Sequence, residues 1–121
     1  MARQLFGTDG IRGVAGEYPL DRTSVYAVGL ALGRWAGAHG VETGAAQVLI
    51  GIDTRESGPW IAGCLAAALS ECGVQVHYAG LITTPGVAYL TRTGPFAAGI
   101  MVSASHNPYQ DNGIKVFGHT G

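Results

Sequence analysis

The stretch from Val48 to Tyr78 constrains the fold more than any other. Val48-Leu49-Ile50, continuing through Gly51-Ile52, is a short apolar run without polar alternation, the pattern of a strand buried on both faces. It breaks off in Asp53-Thr54-Arg55-Glu56-Ser57-Gly58, where Ser57 can cap a helix and Pro59 suits its first turn. Ile61, Leu65, Leu69 and Cys72 then recur on one helical face, and Gly73 stops the pattern. Val74-Gln75-Val76-His77-Tyr78 reads as a second strand, so the whole is a βαβ unit with an expected right-handed crossover. The chain is therefore expected to be α/β, with a mixed, largely parallel sheet flanked by helices.

A second buried strand, Ala97 to Val102, ends in Ser103-Ala104-Ser105-His106-Asn107-Pro108. A strand that stops abruptly in a polar loop delivers side chains at the rim of a sheet, where open α/β sheets hold ligands. Ser105 is the candidate reactive hydroxyl. Two readings stand side by side, because Ser-His-Asn-Pro is also the composition of a solvated turn. Further on, Asp111-Asn112-Gly113-Ile114-Lys115-Val116-Phe117 reads as an Asn-Gly turn followed by a short strand. Lys115 alternates there with apolar neighbours, which can return its ammonium toward the serine loop.

Phe6 to Gly13 sets Gly7, Gly10 and Gly13 around Thr8, Asp9 and Arg12. The spacing is neither a dinucleotide fingerprint nor a P-loop, since no Gly-Lys-Ser/Thr follows. Glycines let backbone approach a ligand closely, and Arg12 can hold phosphate oxygens in a two-pronged contact. A glycine-rich turn with an exposed Arg is the alternative.

Asp21 to His39 has helical periodicity, with Asp21 or Thr23 as cap and Val25, Val28, Leu32, Trp35 and Ala36 on the apolar face. Gly29, Gly33 and Gly37 form a ridge of small residues that suits close helix packing or, alternatively, an oligomer interface. Leu81 to Pro85 is read as a loop into a short helix from Pro85 to Arg92. With 121 residues the chain holds one domain. Its 7 Lys and Arg against 8 Asp and Glu give a net charge of -1, which offers no basic field for nucleic acid or an anionic membrane. Cys64 and Cys72 fall on one helix about 12 Å apart along its axis and cannot pair with each other. Free thiols, with no export signal or membrane-length apolar run, suit the cytoplasm. His39, His77, His106 and His119 show no metal-ligand spacing.

Three motifs in order, Phe6-Gly7-Thr8-Asp9-Gly10-Ile11-Arg12-Gly13, Gly51-Ile52-Asp53-Thr54-Arg55-Glu56-Ser57-Gly58 and Ser103-Ala104-Ser105-His106-Asn107-Pro108 with Asp111 to Lys115, resemble the α-D-phosphohexomutase family. The likeness is greatest to its bacterial members that act on glucosamine phosphates. The resemblance implies the first domain of such an enzyme, ending at Gly121 before its last helix and lacking the metal-loop, sugar-loop and phosphate-binding domains. It implies that Ser105 carries a phosphoryl group and that glucosamine 6-phosphate and glucosamine 1-phosphate interconvert through a bisphosphate. Arg12 and Lys115 then match the family's cations, while His106 and Lys115 are candidates for moving the hydroxyl proton.

On the same footing, Thr8, Arg55 and Asn107 are expected near the phosphate. Thr8 would be a loop contact, Arg55 a source of positive potential or half of a loop-shaping pair with Asp53, and Asn107 a residue that fixes the loop. The family uses Mg²⁺, here held through the phosphate on Ser105 and by carboxylates from outside this chain. The partner implied is a hexosamine phosphate, and a domain so shortened is expected to self-associate and not to turn over unaided. A phosphosugar-binding or structural module without catalysis is the alternative.

Overall fold

The computed structural model describes residues 10–39, 44–104 and 107–118. In chain order they form β1 (Ile11–Val14), α1 (Arg22–His39), β2 (Gln47–Ile52), α2 (Gly58–Glu71), β3 (Gln75–Leu81), α3 (Thr84–Thr93), β4 (Ala98–Val102) and β5 (Asp111–Gly118). The strands make one sheet in the order β1-β5-β4-β2-β3. β3, β2 and β4 run parallel, while β5 is antiparallel to both β4 and β1. This is the mixed α/β architecture expected. No helix among the described residues is long and apolar enough to cross a membrane.

Because successive strand residues point to opposite faces, β2, β4 and β5 feed two cores. Val48, Ile50, Ile52, Ile100, Val102, Ile11 and Ile114 pack with Val25 and Val28 of α1 and Ile61, Leu65 and Leu69 of α2. Full burial of each such large side chain contributes about 1.5–3 kcal/mol. The opposite face is thinner. There Leu49 and Met101 meet Val87 of α3, with Ile82, Phe96 and Phe117 around them.

Helix α1 starts where Asp21 accepts the Ser24 amide on Oδ2 at 3.1 Å, and hydrogen bonding from the Ser24 side chain, followed by that amide, holds the Asp21 carboxyl below its ordinary pKa. Two of the three ridge glycines, Gly29 and Gly33, pack against α2 within the chain, while Gly37 is exposed with nothing within 4 Å of a Cβ placed there. A methyl at Gly29 would lie 2.6 Å from Ala68 Cβ, and one at Gly33 would lie 2.7 Å from Cys72 Sγ. This contact line runs through Val25, Gly29, Gly33 and Ala36, which leaves Trp35 at its margin, 40% exposed rather than on the buried face. Both cysteines are free thiols.

Two local readings need correction. The residues after Gly10 do not stay a turn. Ile11 to Val14 add an edge strand to β5, with Ile11 opposite Ile114 and Arg12 opposite Gly113. Asn112-Gly113 is likewise no turn but lies inside β5, where a Cβ at Gly113 would meet the carbonyls of Ile11 at 2.7 Å and Ser103 at 2.8 Å. Glycine is used here for close approach of three backbones, not for reversing the chain. At the other edge β3 leaves Tyr78 and Leu81 largely exposed.

Candidate active site at the carboxyl ends of β2 and β4

Parallel neighbours β2 and β4 end side by side, with Ile52 opposite Val102. Each then releases a polar loop, residues 53–57 after β2 and residues 103–110 after β4. The first loop is turned back on the second. Asp53 accepts from the Arg55 amide on Oδ1 at 3.0 Å and pairs through Oδ2 with Arg55 Nε at 3.1 Å. Its Oδ2 also accepts from Ser103 Oγ at 2.7 Å. Arg55 is only 7% exposed. Its Nη1 donates to the carbonyls of Pro108 at 2.7 Å and Asp111 at 3.3 Å, and its Nη2 to that of Asn107 at 3.2 Å.

The expected Asp53–Arg55 pair is therefore present and shapes the loop. In Arg55, the donors placed by these bonds face a carboxylate and backbone carbonyls. Tyr109 adds a further tie between the loops, its hydroxyl donating to the Thr54 carbonyl at 3.0 Å. Ser57, expected to cap α2, makes no side-chain cap bond, and its Oγ accepts from Asn112 Nδ2 at 2.7 Å instead. Asn112 is fully buried and also accepts its neighbour's amide, Gly113 N, on Oδ1 at 2.9 Å.

The cations come from the other side of the site. In register, Arg12 faces Gly113, Lys115 lies two residues further along β5, and Met101 pairs with Lys115. The strand period of two thus puts Arg12 and Lys115 on one face, the thin one that holds Met101 and Phe117. Lys115 Nζ stands 5.8 Å from the centre of the Phe117 ring, a cation–π arrangement. Arg12 Nη1 donates to Asn107 Oδ1 at 3.2 Å, and Asn107 Nδ2 donates to Asp111 Oδ2 at 3.3 Å. Arg12 Nε is buried with no hydrogen-bond partner among the described residues.

Asn107 so links the cation of β1 to the start of β5. Thr8, Ser105, His106 and His119 lie outside the described residues. The residues bracketing the serine are placed, however, and the Asn107 amide donates to the Ala104 carbonyl at 3.0 Å across the two intervening residues.

Sequence reasoning passed over three of these supports. Ser103 stood in the quoted motif without a role, Asn112 was read as part of a turn, and Tyr109 was not singled out. A hydroxyl or amide immediately outside a buried strand was the available signal, because a polar group carried into the interior requires a partner. A magnesium site is not formed by the described residues, which contain no group of three or more His, Cys, Asp or Glu able to hold a metal. The nearby carboxylates Asp53 and Asp111 are engaged with Arg55, Ser103 and Asn107.

Fold and site define an α/β/α-layered domain with two arginines bonded to the loop at the sheet's carboxyl rim and a lysine on the adjoining sheet face. The chain belongs to the phosphoglucomutase/phosphomannomutase family, matching its "alpha/beta/alpha domain I" over residues 3–121. It is 67% identical over 121 residues to the phosphoglucosamine mutase of Solibacter usitatus, covering 100% of this chain and 26% of that protein. With the phosphoglucosamine mutase of Koribacter versatilis it shares 65% over 120 residues, covering 98% of this chain and 25% of the relative. A solved phosphoglucomutase/phosphomannomutase family protein from Burkholderia thailandensis superimposes with a TM-score of 0.77 at 34% identity, over 92% of this chain and 25% of that one. The chain thus spans about a quarter of the length of the relatives it matches.

Proposed function

We propose that this chain is the serine-bearing N-terminal domain of a phosphoglucosamine mutase, and that Ser105 is its phosphoryl carrier. One observation carries the reading. Arg12 and Lys115 share a sheet face, and Arg12 is bonded to Asn107, two residues from Ser105 in sequence. A phosphoserine brings about -1.5 to -2 charge and three acceptor oxygens, so cations and amide donors next to it are what its chemistry requires. The Nε of Arg12, without a partner among the described residues, gives that side chain a donor in reserve.

In the proposed reaction, O1 of glucosamine 6-phosphate attacks the phosphorus on Ser105. The O1–P bond forms and the Oγ–P bond breaks. The hydroxyl proton passes to His106 or Lys115, and the serine oxygen gains a proton. The bisphosphate turns around, and Ser105 Oγ attacks the 6-phosphoryl group. The Oγ–P bond is restored, O6 leaves with a proton, and glucosamine 1-phosphate results. Arg12 and Lys115 offset the charge on the transferring oxygens, a contribution of the kind that costs about a hundredfold or more in rate when one donor is removed. Any magnesium ion of the complete enzyme would take its carboxylate ligands from other domains.

The test is turnover of glucosamine 6-phosphate against glucose 6-phosphate by the complete enzyme, with a Ser105→Ala variant alongside. Preference for the amino sugar and loss of turnover in the variant are expected. Binding of hexosamine phosphate without turnover in the complete enzyme would instead favour a phosphosugar-binding module.

A further inference from the structure

We infer that Arg55, held by Asp53, is a positioning residue that sets the segment carrying Ser105 for phosphoryl transfer rather than a contact to the sugar phosphate. This rests on the reading of Ser105 as the carrier. The argument starts from where the guanidinium points. One face of its fork takes Asp53 Oδ2, and the other two nitrogens reach carbonyls of Asn107, Pro108 and Asp111. Those three residues follow Ser105 in sequence. Ahead of it, Ser103 donates to the same Asp53 oxygen that receives Arg55 Nε. A single ion pair on the β2 loop therefore grips the chain on both sides of the serine.

The acceptors are of the wrong kind for a phosphate contact. A guanidinium that binds an anion presents its paired N–H groups to it, whereas here both Nη atoms donate to backbone carbonyls. Arg55 also acts at one remove on the cation of the site. Its Nη2 fixes the carbonyl of Asn107, and the side chain of that same residue receives Arg12. Displacing Asn107 would move Arg12 as well as the serine segment. Lysine cannot replace this geometry, because a point charge with a flexible stem cannot hold a carboxylate and three spread carbonyls together.

The experiment compares the complete enzyme with its Arg55→Lys and Ser103→Ala variants by hydrogen–deuterium exchange and steady-state kinetics. Arg55→Lys should speed exchange in peptides covering 103–111 while leaving those of β2 and α2 at the parental rate. Its kcat should fall by about a hundredfold, the loss that small misplacement of a reacting group produces. KM for glucosamine 6-phosphate should stay within about threefold of the parent, since no ground-state contact to substrate is removed. Ser103→Ala should show the same pattern more weakly.

Unchanged exchange in 103–111, a rise in KM with kcat intact, or uniformly faster exchange across the whole domain would each overturn the inference. A parent enzyme without mutase turnover would overturn the mutase reading instead, and the exchange pattern would still decide whether the clamp exists.

Discussion

The loops after β2 and β4 begin at neighbouring points of one sheet and have opposite characters. The β2 loop is folded inward. Its Asp53 and Arg55 satisfy one another, Arg55 is nearly buried, and the chain goes straight into α2. The β4 loop is held from behind by Arg55 and by the bonds of its own Ser103 to Asp53 and Tyr109 to Thr54, and its Asn107 receives Arg12 from β1. Two neighbouring strand ends thus divide the work, the β2 loop bracing the chain on either side of the residue proposed as the phosphoryl carrier. The lesson is that charge near a site does not reveal its task. Among the described residues Arg12 keeps a buried donor without a partner, while the fork of Arg55 is bonded to the chain itself.

The comparison makes predictions that can break it. The largest concerns Arg12. In the complete enzyme Arg12→Ala should lower kcat/KM by a hundredfold or more, roughly what the loss of one charge-stabilising donor costs. Its melting temperature should change little, since among the described residues the side chain makes a single hydrogen bond, to Asn107. Equal losses of stability and rate would put Arg12 with the brace.

Asp53→Ala should behave in the reverse way. It leaves Arg55, 7% exposed, without its carboxylate, and breaking one side of a buried pair costs about 3–5 kcal/mol. Chemical denaturation should show it, the lower end being expected because Asp53 itself is 27% exposed. A third substitution tests the crossing of β1, β5 and the serine segment. Gly113→Ala would push a methyl against the carbonyls of Ile11 and Ser103, a strain of about 1–3 kcal/mol with a further drop in activity. The smallest effect belongs to Tyr109→Phe. It removes one exposed bond to Thr54, so about 0.5–1 kcal/mol and a slightly looser β4 loop are expected.

Most of the architecture was legible because it rests on periodicity. The apolar runs Val48 to Ile52 and Ala97 to Val102 announced buried parallel strands, and Asp21 and Gly73 marked helix ends near where they occur. What escaped was set by partners distant in sequence. Ile11 to Val14 form a strand only because β5 offers an edge, and no local signal distinguishes them from a glycine-rich turn. Asn112-Gly113 has the composition of a hairpin turn, but burial between β1 and the Ser103 carbonyl overrides that preference. The site divided in the same way. Arg12, Lys115 and Asn107 were singled out through their motifs; Arg12 and Asn107 share a hydrogen bond, and Lys115 lies on the same sheet face as Arg12. The bracing role of Ser103 and Asn112 depends on contacts across some fifty residues, Ser103 to Asp53 and Asn112 to Ser57, and such pairings cannot be read from neighbours in a chain.

The account stands or falls on the hydroxyl of Ser105. Incubating the complete enzyme with glucosamine 1,6-bisphosphate and weighing the proteolytic peptide that contains this residue tests it directly. The peptide should gain the mass of one phosphoryl group, and the gain should disappear on adding excess glucosamine 6-phosphate as the group moves to the sugar. A peptide whose mass never changes while the enzyme turns over, or a phosphoryl group found on another residue, would contradict it.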